Sequence, residues 1–153
     1  MTDLGPPFLA QDSHDWAALL DLIGRAFTYM EGRIDPPSSL HRLTPQGLAL
    51  SGEVWVLGRP AVACMVLKPG AVGLYLGKLA VEPALQGRGL GRFMVVRAEA
   101  RARELGLDRV ELETRVELAE NHRFYQALGF AEVGRSAHPG YDRPTSVRYE
   151  KRV

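Results

Sequence analysis

A glycine-rich segment between a predicted strand and the longest predicted helix constrains the fold of this chain most strongly. Residues 86–92 read Gln-Gly-Arg-Gly-Leu-Gly-Arg and follow an apolar run, 74–81, that stops near Pro83, whose missing amide suits a strand end. Apolar residues then recur on one face of a helix that stops at Gly106: Leu90, Met94, Ala98, Ala102 and Leu105. Glycines let the backbone approach a ligand closely, and the free amides at a helix N-terminus bind anions. The segment therefore predicts a strand–loop–helix unit that can hold a phosphate.

The rest of the chain alternates between helix and strand patterns. Helical spacing predicts a first helix over residues 16–30, capped by Asp12 or Ser13, a weak second helix over 40–50 and a short helix over 120–128. Strand patterns cover residues 53–57, 61–68, 109–115, 130–137 and 146–152. The order predicts a mixed sheet with helices on its faces.

Length and charge limit the class of protein. The chain has 153 residues, which suffice for one well-packed core, so we expect a single domain over residues 1–153. A net charge of +1 provides no broad surface for nucleic acid or an anionic membrane, and neither is an expected partner. Cys64 is the only cysteine, and residues 1–10 lack the pattern of a signal peptide. We therefore expect a protein of the reducing cytoplasm.

Two other phosphate-binding motifs can be tested against the glycine-rich segment. The dinucleotide pattern G-x-G-x-x-G fails because Arg92 stands where its last glycine belongs, and the mononucleotide pattern that ends in G-K-[ST] is absent. These mismatches weaken a nicotinamide or nucleoside-triphosphate interpretation. An isolated glycine motif of this kind more often forms a turn without a ligand.

A second segment, residues 120–130, combines polar and aromatic residues at helical spacing. Asn121 and Tyr125 lie four residues apart and share one face, whereas Phe124 and Leu128 share another face that is expected to meet the core. Amphipathic packing alone accounts for such a pattern, so this segment does not by itself indicate an enzyme.

In this order, the two segments resemble the GNAT superfamily of N-acetyltransferases. The first matches the acyl-CoA signature [QR]-x-x-G-x-[GA], and the second is similar to the ending F-Y-x-x-x-G-F; the matching residues are Gln86, Gly89, Gly91, Phe124, Tyr125, Gly129 and Phe130. The commonest family version has an asparagine seven residues before the tyrosine, where this chain has Leu118. Asn121, four residues before the tyrosine, matches a subset of relatives.

The resemblance implies a fold and a cosubstrate. It implies an α/β (α+β) fold with a mixed, mostly antiparallel sheet of six to seven strands and about four helices, splayed between a strand that ends near Val81 and one that starts near Arg109. Acetyl-CoA would lie in this gap, without a metal ion. The implied cofactor-binding residues are Leu79, Ala80, Val81, Gln86, Gly87, Arg88, Gly89, Leu90, Gly91, Arg92, Asn121 and Phe124.

The resemblance also implies direct acetyl transfer to an amine, with Tyr125 as the acid that protonates the leaving thiolate. Glu113 ranks first as general base, with Glu31, Glu111 and His41 left open. Two irregular segments, residues 29–39 and 136–145, are expected to bind a small, amino-acid-like primary amine through Tyr29, Glu31, Arg33, Tyr141 and Arg143. A peptide or protein acceptor, and a non-catalytic acyl-CoA sensor, stay open as alternatives, as does a homodimer.

Overall fold

Seven strands form one twisted sheet in this computed structural model, which describes residues 4–153. Residues 1–3, part of the N-terminal segment that lacks a signal-peptide pattern, lie outside the described residues. The strands are β1 (Phe8–Leu9), β2 (Glu53–Leu57), β3 (Ala63–Pro69), β4 (Gly73–Val81), β5 (Arg109–Arg115), β6 (Ala131–Ser136) and β7 (Ser146–Arg152). Their order across the sheet is β1-β2-β3-β4-β5-β7-β6, and only the β4–β5 pair is parallel. The predicted mixed, mostly antiparallel sheet is confirmed.

Four α-helices cover the sheet: α1 (Trp16–Ala26), α2 (Pro45–Ala49), α3 (Leu90–Glu104) and α4 (Ala119–Ala127). Short 3₁₀ turns occupy Thr28–Met30, Ser39–Arg42 and Pro83–Leu85. The first helix ends earlier than predicted because the chain tightens into the first of these turns, where the Met30 amide donates to the Phe27 carbonyl. The predicted caps Asp12 and Ser13 are wrong: the Asp15 carboxylate accepts from the Ala18 amide at 3.0 Å, next to the helix start.

Two apolar clusters, one on each face of the sheet, hold the layers together. Helix α3 packs its Met94, Ala98 and Ala102 onto the first face, and aromatic residues of α4 cover the same side. Helices α1 and α2 cover the second face, where Ile23 and Leu48 are fully buried. Burying one such side chain contributes about 1.5–3 kcal/mol to the stability of the fold, so the two clusters hold the helices against the sheet.

The sheet splits between β4 and β5. The two strands pair only over Gly73–Tyr75 and Arg109–Glu111, although β4 continues to Val81 and β5 to Arg115. Beyond the paired residues the strands diverge, so their facing edges lack a strand partner. The predicted splay lies at this point, and it opens a gap through the middle of the sheet.

A β-bulge shapes the β4 side of this gap. On β3, Cys64 pairs with Ala80 and Val66 pairs with Gly77, so Lys78 and Leu79 together lie opposite a single residue. Lys78 has φ = 49°, a left-handed backbone conformation that residues other than glycine rarely adopt. No other non-glycine residue within 4–153 has a positive φ. The bulge thus redirects the end of β4 where the strands diverge.

Candidate active site

A cleft of about 750 Å³ occupies the gap between β4 and β5. Its walls come from the two diverging strands, the loop before α3, helix α4, the segment after α1 and the β6–β7 loop. Of the predicted site residues, fourteen line it: Tyr29, Leu79, Ala80, Val81, Gln86, Gly87, Gly89, Leu90, Gly91, Arg92, Glu113, Asn121, Phe124 and Tyr125. Residues that are far apart in the sequence therefore meet in one cavity.

The glycine-rich loop forms one end of the cleft. Gly87 and Gly89 have φ of +79° and +83°, and a Cβ atom at either position would meet no atom of the chain within 4 Å. Gly89 caps α3 without a side-chain hydrogen bond, so no side chain occupies the amides of the first turn. Gln86 ties the loop to β4 through a 3.2 Å hydrogen bond from Nε2 to the Val81 carbonyl. Open amides at the start of a long helix fit a diphosphate group.

Helix α4 approaches this loop closely. A Cβ atom on Gly91 would lie 3.2 Å from Cζ of Phe124, so the glycine allows α3 and α4 to pack together at the cleft. The Phe124 ring also contacts the Tyr125 ring edge-on, with centroids 5.0 Å apart. Phe124 thus joins the wall of the cleft to the first apolar cluster.

Tyr125 combines a packed ring with an unpaired hydroxyl. Its ring lies edge-on to Phe130 at 5.7 Å, and its hydroxyl makes no hydrogen bond with any residue that the structure describes. Burial, followed by the electrostatic influence of Tyr29 and Tyr75, raises the pKa of Tyr125 well above the ordinary value of 10.0. The hydroxyl therefore stays protonated at neutral pH and can act as a proton donor.

Asn121 is engaged by the protein itself. Its Nδ2 donates to Oγ1 of Thr114 at 3.2 Å and to the hydroxyl oxygen of Tyr29 at 3.2 Å. Burial, partly opposed by the hydrogen bond from Asn121, raises the pKa of Tyr29. Asn121 thus connects β5, α4 and the segment after α1, and a ligand must exchange one of these bonds to contact its amide hydrogens.

Glu113 is a free carboxylate at the cleft. It is exposed on β5, and its carboxylate has no hydrogen bond or ion pair with residues 4–153. Burial raises the pKa of Tyr75, and the negative charge of Glu113 adds to this effect. Glu120, which also lines the cleft, accepts two hydrogen bonds from Arg33 at 2.8 and 2.9 Å. The other base candidates, Glu31, Glu111 and His41, do not line the cleft.

His138 lines the cleft as well; it lies in the second segment expected to bind the acceptor, but the sequence did not single it out. Its backbone amide donates to Oγ1 of buried Thr145 at 2.9 Å, and its ring Nδ1 contacts the same oxygen. A single histidine in a loop between two strands carries no sequence pattern that relates it to Glu113 or Tyr125. Only the pairing of β5 with β7 brings these residues together.

Most of the predicted acceptor-binding residues form internal bonds across one end of the cleft. Asp35 accepts from the Tyr141 hydroxyl at 2.5 Å and from Arg143 at 2.9 Å, and its amide donates to Glu117 at 3.1 Å. Further contacts are the Arg33–Glu120 pair and the hydrogen bonds from Arg115 to the carbonyls of Pro36 and Pro37. We call all of these contacts together the clasp. Five predicted residues do not line the cleft: Glu31, Arg33, Arg88, Tyr141 and Arg143.

Other kinds of site find no support within the described residues. Cys64 is fully buried, and burial raises the pKa of its thiol to about 12, so it is not a nucleophile. No cluster of three or more His, Cys, Asp or Glu within residues 4–153 could hold a metal ion. No helix in this range is long and apolar enough to cross a membrane.

Comparisons with known proteins identify the family of this chain. Residues 16–130 match the model of the Acetyltransferase (GNAT) family. An "IAA acetyltransferase" from Azospirillum brasilense is 31% identical over 148 residues, which cover 94% of this chain and 95% of that protein.

Solved structures share the fold. The ribosomal-protein-S18-alanine N-acetyltransferase from Escherichia coli superposes with a TM-score of 0.71 at 20% identity, covering 95% of this chain and 93% of that one. A GNAT family acetyltransferase from Elizabethkingia anophelis with acetyl-CoA bound superposes with a TM-score of 0.71 at 16% identity, covering 99% and 100%. The chain belongs to the GNAT family and is an N-acetyltransferase.

Proposed function

We propose that this enzyme transfers the acetyl group of acetyl-CoA directly to the primary amine of a small molecule. The observation that carries the proposal is the continuous cleft, which joins an open diphosphate loop to a free carboxylate and a protonated tyrosine. The Elizabethkingia structure with acetyl-CoA bound, which has the same fold, supports this choice of cosubstrate.

The β4 edge and the loop before α3 provide groups that fit acetyl-CoA. Past Tyr75, the β4 backbone has no strand partner on the gap side, so its amides and carbonyls around Leu79, Ala80 and Val81 can bond the amides of pantetheine as a strand would. The amides of residues 86–92 would hold the diphosphate, with Arg88 and Arg92 adding positive charge. In this arrangement Phe124 borders the pantetheine arm.

The chemistry needs one proton acceptor and one proton donor. Glu113 takes a proton from the incoming ammonium, and the neutral amine then attacks the thioester carbonyl carbon. A backbone amide near Leu79 faces the oxygen that becomes negative, where one well-placed donor contributes about 3 kcal/mol. As the carbon–sulfur bond breaks, Tyr125 donates its proton to the departing thiolate, an acid step worth about 10²- to 10⁴-fold in rate. The nitrogen then loses its second proton, which returns Tyr125 to the neutral phenol, and Glu113 releases its proton to solvent. The products are the amide, free CoA and one proton.

The clasp favours a small acceptor over a protein. It ties three separate segments together across one end of the cleft, through Asp35, Arg115 and the pair of Arg33 with Glu120. An extended peptide would require these contacts to open. The name of the Azospirillum relative points in the same direction. A peptide N-terminus stays the alternative acceptor.

A screen of amines with acetyl-CoA, read out as free thiol, tests the proposal. The panel contains amino acids, polyamines, aromatic amines and short peptides. Turnover with a small amine supports the proposal, and turnover with peptides alone favours the alternative. If acetyl-CoA is neither bound nor consumed with any acceptor, the proposed reaction is wrong.

Two matched variants test the base. Glu113→Gln should lower kcat at least about tenfold, because general-base catalysis contributes about 10²- to 10⁴-fold. Glu111→Gln is the control, since Glu111 lies on the same strand with the same side-chain parity but outside the cleft. Equal kcat values for the two variants would remove Glu113 from the mechanism.

A further inference from the structure

Lys78 is the unexplained charge in the cleft. Its partly buried side chain lines the cavity, and its ammonium group makes no hydrogen bond or ion pair with any residue that the structure describes. Two other cationic side chains line the cleft. Arg92 lies at the diphosphate loop, and Arg115 donates to the carbonyls of Pro36 and Pro37. Lys78 is therefore the lysine that lines the cleft without a partner among residues 4–153.

Keeping a lysine at this position has two costs. The backbone of Lys78 is left-handed at φ = 49°, a conformation that glycine or asparagine adopts more readily. Burial, reinforced by the charge of Lys68, lowers the pKa of Lys78, so the charged form is disfavoured in the absence of an anion. Strained residues that line a cleft are concentrated at ligand sites. An anionic group on a ligand would compensate for the second cost.

Lys78 and Glu113 line the cleft from the two strands on opposite sides of the gap. Val66 packs in the second apolar cluster, so its partner Gly77, next to Lys78, faces that side, and the charge of Lys68 acts on Lys78 from the neighbouring strand. Tyr75 pairs with Glu111, so the two residues face the same side of the sheet. Glu113 faces that side too, because it lies two residues beyond Glu111 on the same strand. A cation and a carboxylate thus border the gap just past the last paired residues.

Two arginines of the clasp are neutralised by acids, whereas Arg115 keeps its charge and donates to the Pro36 and Pro37 carbonyls. Arg33 forms two hydrogen bonds with Glu120, and Arg143 bonds to Asp35. Neither arginine lines the cleft, whereas Lys78 does. A carboxylate that enters the cleft therefore meets Lys78 without having to break an existing ion pair.

We propose that the acceptor is an amine that also carries a carboxylate, as an amino acid does, and that Lys78 binds this carboxylate while the amine faces Glu113. The inference rests on the proposed acetyl transfer and specifies its substrate class. It makes Lys78 a specificity-determining residue of the cleft. A neutral or polycationic amine would leave the ammonium of Lys78 unpaired.

The test compares L-amino acids with the matching L-amino acid amides as acceptors. For each pair, the ratio of kcat/KM between the carboxylate and the amide is measured in the wild type, Lys78→Met, Lys78→Arg and Lys68→Met. The two members of a pair differ in amine basicity, but this difference is the same for every variant and cancels when ratios are compared. Methionine keeps the unbranched stem of lysine as far as Cε and meets the same backbone strain, so the substitution removes the charge with little change in packing.

The expected result is a wild-type preference for the carboxylate that falls at least about tenfold in Lys78→Met and is largely kept in Lys78→Arg. Lys68→Met should not lower the ratio, since Lys68 is exposed and does not line the cleft, and loss of its charge favours the charged form of Lys78. An unchanged ratio in Lys78→Met, or a wild-type preference for the amides, overturns the inference while acetyl transfer itself still stands.

Binding distinguishes the inference from the proposed function if no amino acid or amide is acetylated. The same acceptors are then titrated into the wild-type protein with CoA by calorimetry. Binding of amino acids that is lost in Lys78→Met supports a carboxylate site without the reaction. Absence of binding by every amino acid overturns the inference.

Discussion

Replacing Gly89 tests whether the loop before α3 holds the diphosphate of acetyl-CoA. Gly89→Val should weaken CoA binding while leaving the protein folded. At φ = +83°, a residue with a Cβ atom pays a backbone cost of roughly 1–2 kcal/mol, but the Cβ would meet no atom of the chain within 4 Å. For a domain of this size, that cost lowers Tm by roughly 2–8 °C. The new side chain would occupy the space that the ligand needs.

The effect on binding follows from the hydrogen bonds that are lost. One backbone amide that donates to a charged phosphate contributes about 1.5–3 kcal/mol, so losing one such bond raises Kd about 10- to 150-fold. Isothermal titration calorimetry with CoA measures Kd, and differential scanning calorimetry measures Tm. Both measurements are made on the purified variant without an acceptor, so the result does not depend on the identity of the amine.

Gly106 provides a matched control at the opposite end of α3. Its φ is +72°, and a Cβ atom there would also meet no atom within 4 Å. Gly106→Val should therefore lower Tm by a similar amount while Kd for CoA stays at the wild-type value. If Gly89→Val binds CoA as tightly as Gly106→Val, the loop does not hold the diphosphate and the reasoning fails.

Three further predictions concern the chemistry. Tyr125→Phe keeps the packed ring but removes the proton, so kcat should fall at least about tenfold, or ~1.4 kcal/mol, with little change in CoA affinity; wild-type kcat would reject the acid role. Because its pKa is raised above 10.0, Tyr125 should stay protonated up to about pH 10; a loss of kcat below pH 10 that is absent from Tyr125→Phe would contradict this. Cys64 is buried with a pKa of about 12, so treatment with iodoacetamide at pH 8 should leave the activity intact, as measured by thiol release. Rapid inactivation that Cys64→Ala prevents would show that the thiol is accessible and reactive.

Strand and helix patterns predicted much of the fold because they depend on local residue order. Strands β2, β5 and β7 have the predicted bounds, since alternating or β-branched runs end at clear breaks. The two-residue β1 was not predicted, because its pairing of Phe8 with Val56 is a tertiary contact without a repeating pattern. The cap of α1 was misplaced because Asp12, Ser13 and Asp15 can all accept an amide hydrogen, and only the helix start decides among them.

Some features of the candidate site could be predicted from the local sequence, and others could not. The glycine positions and the Phe124–Tyr125 pair are encoded in short motifs, because close backbone approach and helix spacing are local requirements. The partners of Arg33 and Arg143 are not encoded locally. Their ion pairs with Glu120 and Asp35 join residues about 90 to 110 positions apart, so the sequence could not show that these guanidinium groups are already neutralised.

By itself, the sequence determined the family, the order of the elements and the loop that suits a diphosphate, since each depends on residues within one segment. The tertiary structure decided which charges stay free in the cleft. Lys78 gave no signal in the sequence, because its exposure to the gap depends on a bulge against β3 and on the divergence of β4 from β5. Side-chain pairing across long sequence separations is a property of the assembled sheet, and for that reason the role proposed for Lys78 follows only from the folded chain.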